Sequence, residues 1–134
     1  MREILRTDAA PSSALYSQGV RVGSLIHVSG LTGIDVATGR LAGPTIQEQT
    51  RQALMNCRAV LRAGGATFDD VVEVGVLLAD LDDVVGMNEE YAQCCPAGPP
   101  CRCAAQLGAV ITGVRVSIRM TAIVESSPAG PVAT

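Results

Sequence analysis

The period of hydrophobic and polar positions changes several times along the chain, and each change marks an element. Val20 to Ser29 alternates around the Gly23-Ser24 turn, and Leu25-Ile26-His27-Val28-Ser29 reads as a strand ending at Gly30. After the Thr38-Gly39 turn a second short strand is expected near Leu41. Gly43-Pro44 precedes Thr45, and Glu48 three residues on completes a capping box, so a helix starts there. Thr50, Ala53, Leu54, Cys57, Val60 and Leu61 recur at three- and four-residue spacing. Arg51, Arg58 and Arg62 lie outside that stripe, and Gly64-Gly65 closes the helix. Val71 to Ala79, rich in Val and Leu with a single Gly75, predicts a strand buried on both faces.

Asp80-Leu81-Asp82-Asp83 caps a second helix, on which Met87, Tyr91, Cys94 and Cys95 face inward and which Pro96 stops. Gly86 weakens that helix by about 1 kcal/mol relative to Ala. Two closing strands follow, Arg102 to Val110 and Val114 to Glu125, joined through Thr112-Gly113. In the last, Val116, Ile118, Met120 and Ala122 alternate with Arg115, Ser117, Arg119 and Thr121, giving one apolar and one polar face. The order predicts an α+β fold: a mixed β-sheet with two helices on one face. It forms a single domain over 1–125, with a small, polar, proline-containing tail at 126–134 expected to be flexible. The uncovered polar sheet face suggests a subunit interface or a cleft.

Composition narrows the chemistry. Apolar residues make up 48% of the 134 but aromatics only 2%, so the core is built from Val, Leu, Ile, Ala, Met and Cys. All ten basic residues are Arg, and without Lys there is no amine for a Schiff-base or pyridoxal mechanism. A net charge of -3, a pI near 5.0 and only Tyr16, Tyr91 and Phe68 for stacking argue against nucleic acid as a partner. The charged start and the lack of a long apolar run point to no membrane and a cytoplasmic location, where the five Cys are reduced thiols.

Pro99-Pro100-Cys101-Arg102 reads as a turn that delivers one guanidinium to the start of a strand, beside apolar Ala104-Ala105. A guanidinium fixed there is suited to clamp a carboxylate, because its planar fork matches two oxygens. An isolated Arg is otherwise a solvated surface residue, and the rest of the chain decides between the two.

The segments Ala14-Leu15-Tyr16-Ser17-Gln18-Gly19, Val28-Ser29-Gly30, Gln49 to Gly65 around Ala53-Leu54-Met55-Asn56, Val76 to Leu81, Met87-Asn88-Glu89-Glu90-Tyr91 and Pro100-Cys101-Arg102 occur in one order and spacing. In that order the chain resembles the RidA family, also called YjgF/YER057c/UK114, over nearly its full length. The resemblance implies a chorismate-mutase-like fold assembled as a homotrimer around a central barrel, with three ligand clefts at subunit interfaces. It also implies a cofactor-free and metal-free reaction, the hydrolysis of reactive enamines and imines such as 2-aminoacrylate to a 2-oxo acid and ammonia. By the same resemblance Arg102 binds the substrate carboxylate, Tyr16 and Ser29-Gly30 line the cleft, and Asn88 supports it; Arg102 and Tyr16 are the catalytic candidates.

The sequence departs from the family pattern in the last strand, where the resemblance places Arg119 at the water-handling Glu. An Arg cannot serve as a general base at neutral pH. The Cys expected two positions after the clamp is Ala104, Cys103 points to the opposite face, and the Gln usual after Ser-Gly is Leu31. If Arg119 faces Arg102, the pair calls for a ligand with two negative charges, hence a dicarboxylate substrate. Otherwise Arg119 pairs with a carboxylate such as Glu125 or Glu3. Loss of the Glu also leaves open a repurposed trimer that binds small carboxylates without catalysis, or a pathway-specific tailoring enzyme. A ribonuclease or translation inhibitor, a role attached to some relatives, is disfavoured by the acidic, aromatic-poor composition.

Other polar residues have simpler roles. His27, the one His, is expected as a hydrogen-bonded strand residue rather than a proton shuttle. Cys94, Cys95, Cys101 and Cys103 lack the two-residue spacings of zinc sites, so no metal is expected. Asp69-Asp70 and Asp82-Asp83 stand where caps are needed.

Overall fold

The long helix α1, Ile46–Ala63, follows directly from its local sequence. In the computed structural model, which describes residues 1–94, 97–108 and 111–125, the Thr45 hydroxyl accepts from the Glu48 amide at 3.1 Å and Glu48 Oε1 reaches back to the Thr45 amide. Its predicted stripe, Thr50, Ala53, Leu54, Cys57, Val60 and Leu61, is buried throughout.

The main sheet has the order β1-β2-β3-β8-β6-β7, built from Glu3–Leu5, Gly19–Val22, Leu25–Thr32, Val116–Ile123, Val71–Leu78 and Cys101–Gln106. All neighbours are antiparallel except β6 and β7, which run parallel because α2, Val84–Cys94, carries the chain from one to the other. A two-stranded ribbon of β4, Ile34–Asp35, and β5, Arg40–Leu41, stands apart around the Thr38-Gly39 turn. The mixed sheet with two helices on one face is the architecture that the hydrophobic pattern predicts.

The two helices cover the face formed by Ile26, Val28, Leu31, Val74, Val76, Leu78, Val116, Ile118, Met120 and Ala122, all buried. They lie close together at Gly86, where a Cβ would come within 2.6 Å of Ile46 Cγ2. The bidentate Arg51–Glu90 pair, 2.7 and 3.2 Å, joins them above the core. The hydrogen bond and charge of nearly buried Glu90 hold the Arg51 guanidinium above its usual pKa.

Several expectations change. β6 is buried on one face only: Val72, Glu73 and Leu77 are exposed, because among the described residues nothing covers the second face of the sheet. The two closing strands form no hairpin with each other: β8 inserts between β3 and β6, and β7 is the sheet edge. β7 also starts one residue early, at Cys101, and ends at Gln106; Ala109 and Val110 lie outside the described residues. Cys95 and Pro96, at the expected end of the second helix, and the 126–134 tail also lie outside them. The strand Glu3–Leu5 has no counterpart in the hydrophobic pattern, and β3 continues past Gly30 to Thr32 through a bulge. Among the described residues no helix is long and apolar enough to cross a membrane.

Candidate functional site

The site candidates fall into three places. At the sheet edge, Arg102 is the second residue of β7, and its register partner Val74 is buried under the helices, so the guanidinium lies on the helix side. Arg102 Nη1 donates to Asn88 Oδ1 at 2.6 Å, and Met87 Sδ lies 4.0 Å from the same nitrogen. The Tyr91 ring sits beneath the guanidinium, 4.8 Å from centroid to Cζ. These three neighbours come from one turn of α2 and none is a carboxylate. Such a cation, held in place but not neutralised, attracts an anion.

The second place is the loop before β2, which carries Tyr16. Buried Gln18 organises it: its Nε2 lies 3.0, 2.8 and 3.0 Å from the carbonyls of Thr7, Ala10 and Pro11, and its Oε1 accepts from the Thr7 amide at 2.8 Å. The Ser29 hydroxyl donates to the Ser17 carbonyl at 2.5 Å, and the Ser29 amide to Gln18 at 2.9 Å. Ser29 therefore straps the Tyr16 loop to β3. Tyr16 itself is half exposed and lines a hollow with Ile4, Arg6, Ser13 and Leu15.

The third place is the open sheet face. Ser29 and Gly30 form a bulge, two residues opposite the single Arg119 of β8. The Arg119 side chain runs over Gly75 of β6, and among the described residues it has no hydrogen-bond or charge partner; neither Glu3 nor Glu125 pairs with it. His27 Nδ1 lies 3.1 Å from Thr121 Oγ1, and the two share a hollow of about 170 Å³ with Glu73 and Arg119.

The structure thus joins Arg102 with Asn88, and the loop carrying Tyr16 with Ser29, next to Gly30, but separates the two groups. From β3 to β7 is three strand spacings, about 14 Å. Arg102 and Arg119 stand on opposite faces of the sheet, because residues 118 and 120 beside Arg119 are buried beneath the helices. Within one chain the two guanidiniums therefore do not face one another.

In the sequence Tyr91 reads as a core residue and Gln18 does not stand out from its segment. The paired carboxylates do stand at element starts, although Thr67 and Asp80 supply the capping oxygens and Asp83 pairs with Arg115 at 3.0 Å. Among the described residues no group of three or more His, Cys, Asp or Glu could hold a metal ion.

Residues 7–124 match the family model described as endoribonuclease L-PSP. The 2-iminobutanoate/2-iminopropanoate deaminase of Capra hircus is 39% identical over 92% of this chain and 90% of its own. The crystal structure of RidA from an Antarctic Psychrobacter has a TM-score of 0.86 at 32% identity, covering 91% of this chain and 99% of that one. Escherichia coli TdcF with bound serine has a TM-score of 0.84 at 30% identity, over 90% and 98%. Matched over nearly its whole length in sequence and in fold, the chain belongs to the RidA (YjgF/YER057c/UK114) family.

Proposed function

We propose that the protein hydrolyses reactive imines and enamines of 2-amino acid type, releasing a 2-oxo acid and ammonia. The carrying observation is Arg102, whose guanidinium is fixed by an amide oxygen, a ring and a thioether yet, among the described residues, meets no negative charge. The substrate's single carboxylate supplies that charge. Relatives named as deaminases of 2-iminobutanoate and 2-iminopropanoate, and the serine bound to TdcF, support a small substrate with a carboxylate beside the reacting carbon.

The enamine first takes a proton at its terminal carbon to become the imine. Water then adds to the imine carbon and one of its protons passes to the nitrogen, giving a carbinolamine; the hydroxyl proton follows to the nitrogen as the carbon–nitrogen bond breaks, leaving the 2-oxo acid and ammonia. No redox partner is needed. Arg102 contributes by orienting the substrate, which accounts for much of the rate when a reactive group already carries its own driving force. Arg119 takes no part as a base, since a guanidinium stays protonated at neutral pH.

A single chain holds Arg102 apart from Tyr16, Ser29 and Gly30, so the complete site lies between copies, in a homotrimer. The wholly exposed strand β7 and the uncovered sheet face favour such an assembly.

The test is 2-oxo acid release from 2-aminoacrylate generated in situ. Wild type accelerates it and Arg102→Ala does not, while light scattering gives three chains per particle. No acceleration by wild type, with small carboxylates still bound, favours the second reading, a carboxylate-binding homologue in which Arg119 stands for the lost Glu. RNA left intact on prolonged incubation separates both from a nuclease.

A further inference from the structure

We propose that Tyr91 is a positioning residue for Arg102: its ring and the Asn88 amide oxygen together fix the guanidinium so that the edge formed by Nε and Nη2 is presented to the ligand. The inference rests on Arg102 being the carboxylate anchor.

An Arg side chain on an exposed edge strand turns about four flexible bonds, and one hydrogen bond restrains only a point on it. The 2.6 Å contact of Nη1 with Asn88 Oδ1 is such a point. The second restraint is the Tyr91 ring, 4.8 Å from Cζ, which attracts the cation to its face and limits its swing about the Nη1 contact. Two restraints at different points of the group hold it in one direction. With Nη1 engaged, the donors left without a partner among the described residues are Nε and Nη2, whose parallel N–H bonds match two carboxylate oxygens.

The ring is itself well supported. Tyr91 is half-buried, packs against the core, and forms one wall of a small apolar pocket with Leu54, Phe68, Val74 and Pro100. Met87, one helical turn before it, is fully buried and touches the same guanidinium through its sulfur. The seat of the anchor is thus continuous with the core, and it adds no charge that would compete with the ligand.

The test uses pyruvate, a stable 2-oxo acid, titrated calorimetrically, together with the KM for 2-aminoacrylate. Tyr91→Phe keeps the ring and binds like wild type, whereas Tyr91→Leu weakens pyruvate and raises KM by about 5- to 30-fold, the range of a cation–ring contact. Binding of neutral pyruvamide stays as in wild type in both variants. Wild-type affinity in Tyr91→Leu, with affinity lost in Arg102→Ala, overturns the inference and leaves the anchor standing. Undiminished pyruvate binding by Arg102→Ala overturns the anchor itself. If Tyr91→Leu does not fold, nitrogen NMR of the wild type decides: separate Nη signals for Arg102, identified by their loss in Arg102→Ala, show a held guanidinium. One averaged signal, as in a freely turning side chain, overturns the proposal.

Discussion

The Arg119 side chain fills the space that Gly75 leaves on the open face of the sheet: a Cβ on Gly75 would lie 2.8 Å from Arg119 Nε and 3.0 Å from its Cγ. Within one chain the obstructing atoms belong to an exposed side chain with no partner among the described residues, and it can swing aside. Gly75→Ala therefore displaces Arg119 and changes stability by less than about 1 kcal/mol, because alanine's better strand propensity offsets the rearrangement. A thermal scan checks this, and a fall in Tm above about 8 °C would show that Arg119 is held rigidly.

Gln18 is the most consequential polar residue outside the sheet-edge cluster. Gln18→Ala leaves the Thr7 amide and three carbonyls without their partner, at a cost of about 2–4 kcal/mol. The loop carrying Tyr16 loosens before the core does. Limited proteolysis should cut the variant first between residues 12 and 17, while uniform cleavage throughout the chain would mean that the loop is not a separate unit.

Gly86 shows packing overruling helix propensity. Alanine there gains about 1 kcal/mol of helix propensity but drives a methyl into Ile46 Cγ2 at 2.6 Å and Gln47 Nε2 at 2.9 Å, a clash worth about 1–3 kcal/mol. Gly86→Ala should lower the urea midpoint; a raised midpoint would mean that the helices separate at little cost.

Burial pushes the Cys57 thiol up to about 12 from its ordinary 9.0. Between those values the unfolded chain releases this proton and the folded one keeps it. Its contribution to stability is thus complete below pH 9 and declines from there towards 12, by up to about 1.4 kcal/mol per pH unit. Alkaline denaturation curves of wild type and Cys57→Ala should diverge in slope in that window, and parallel curves would refute the shift.

What the sequence revealed, and what it hid, follows from the range of the interactions. The capping box at Thr45 and Glu48 and the α1 stripe are local, and they are found as predicted. The parity of β8 is local too, and its apolar and polar faces are as expected. The uncovered face of β6 and the insertion of β8 between β3 and β6 depend on elements far away in the chain, which no local period encodes. The same limit applies to the site. Arg102 and Asn88 emerge from the turn and the resemblance, but which face each strand gives to Arg102 and to Arg119 is decided only by register. Tyr91 and Gln18 act through tertiary contacts, so in the sequence one resembles core and the other an ordinary loop amide.

The distance between Arg102 and Tyr16 within one chain has a genetic consequence. If each cleft takes its anchor from one copy and its Tyr16 loop from the next, a chain with Arg102→Ala and a chain with Tyr16→Phe are each inactive alone but carry complementary intact halves. Refolded together in equal amounts, they would rebuild about a quarter of the clefts in randomly assorted rings. Two different lesions would then heal one another, whereas two copies of the same lesion never could.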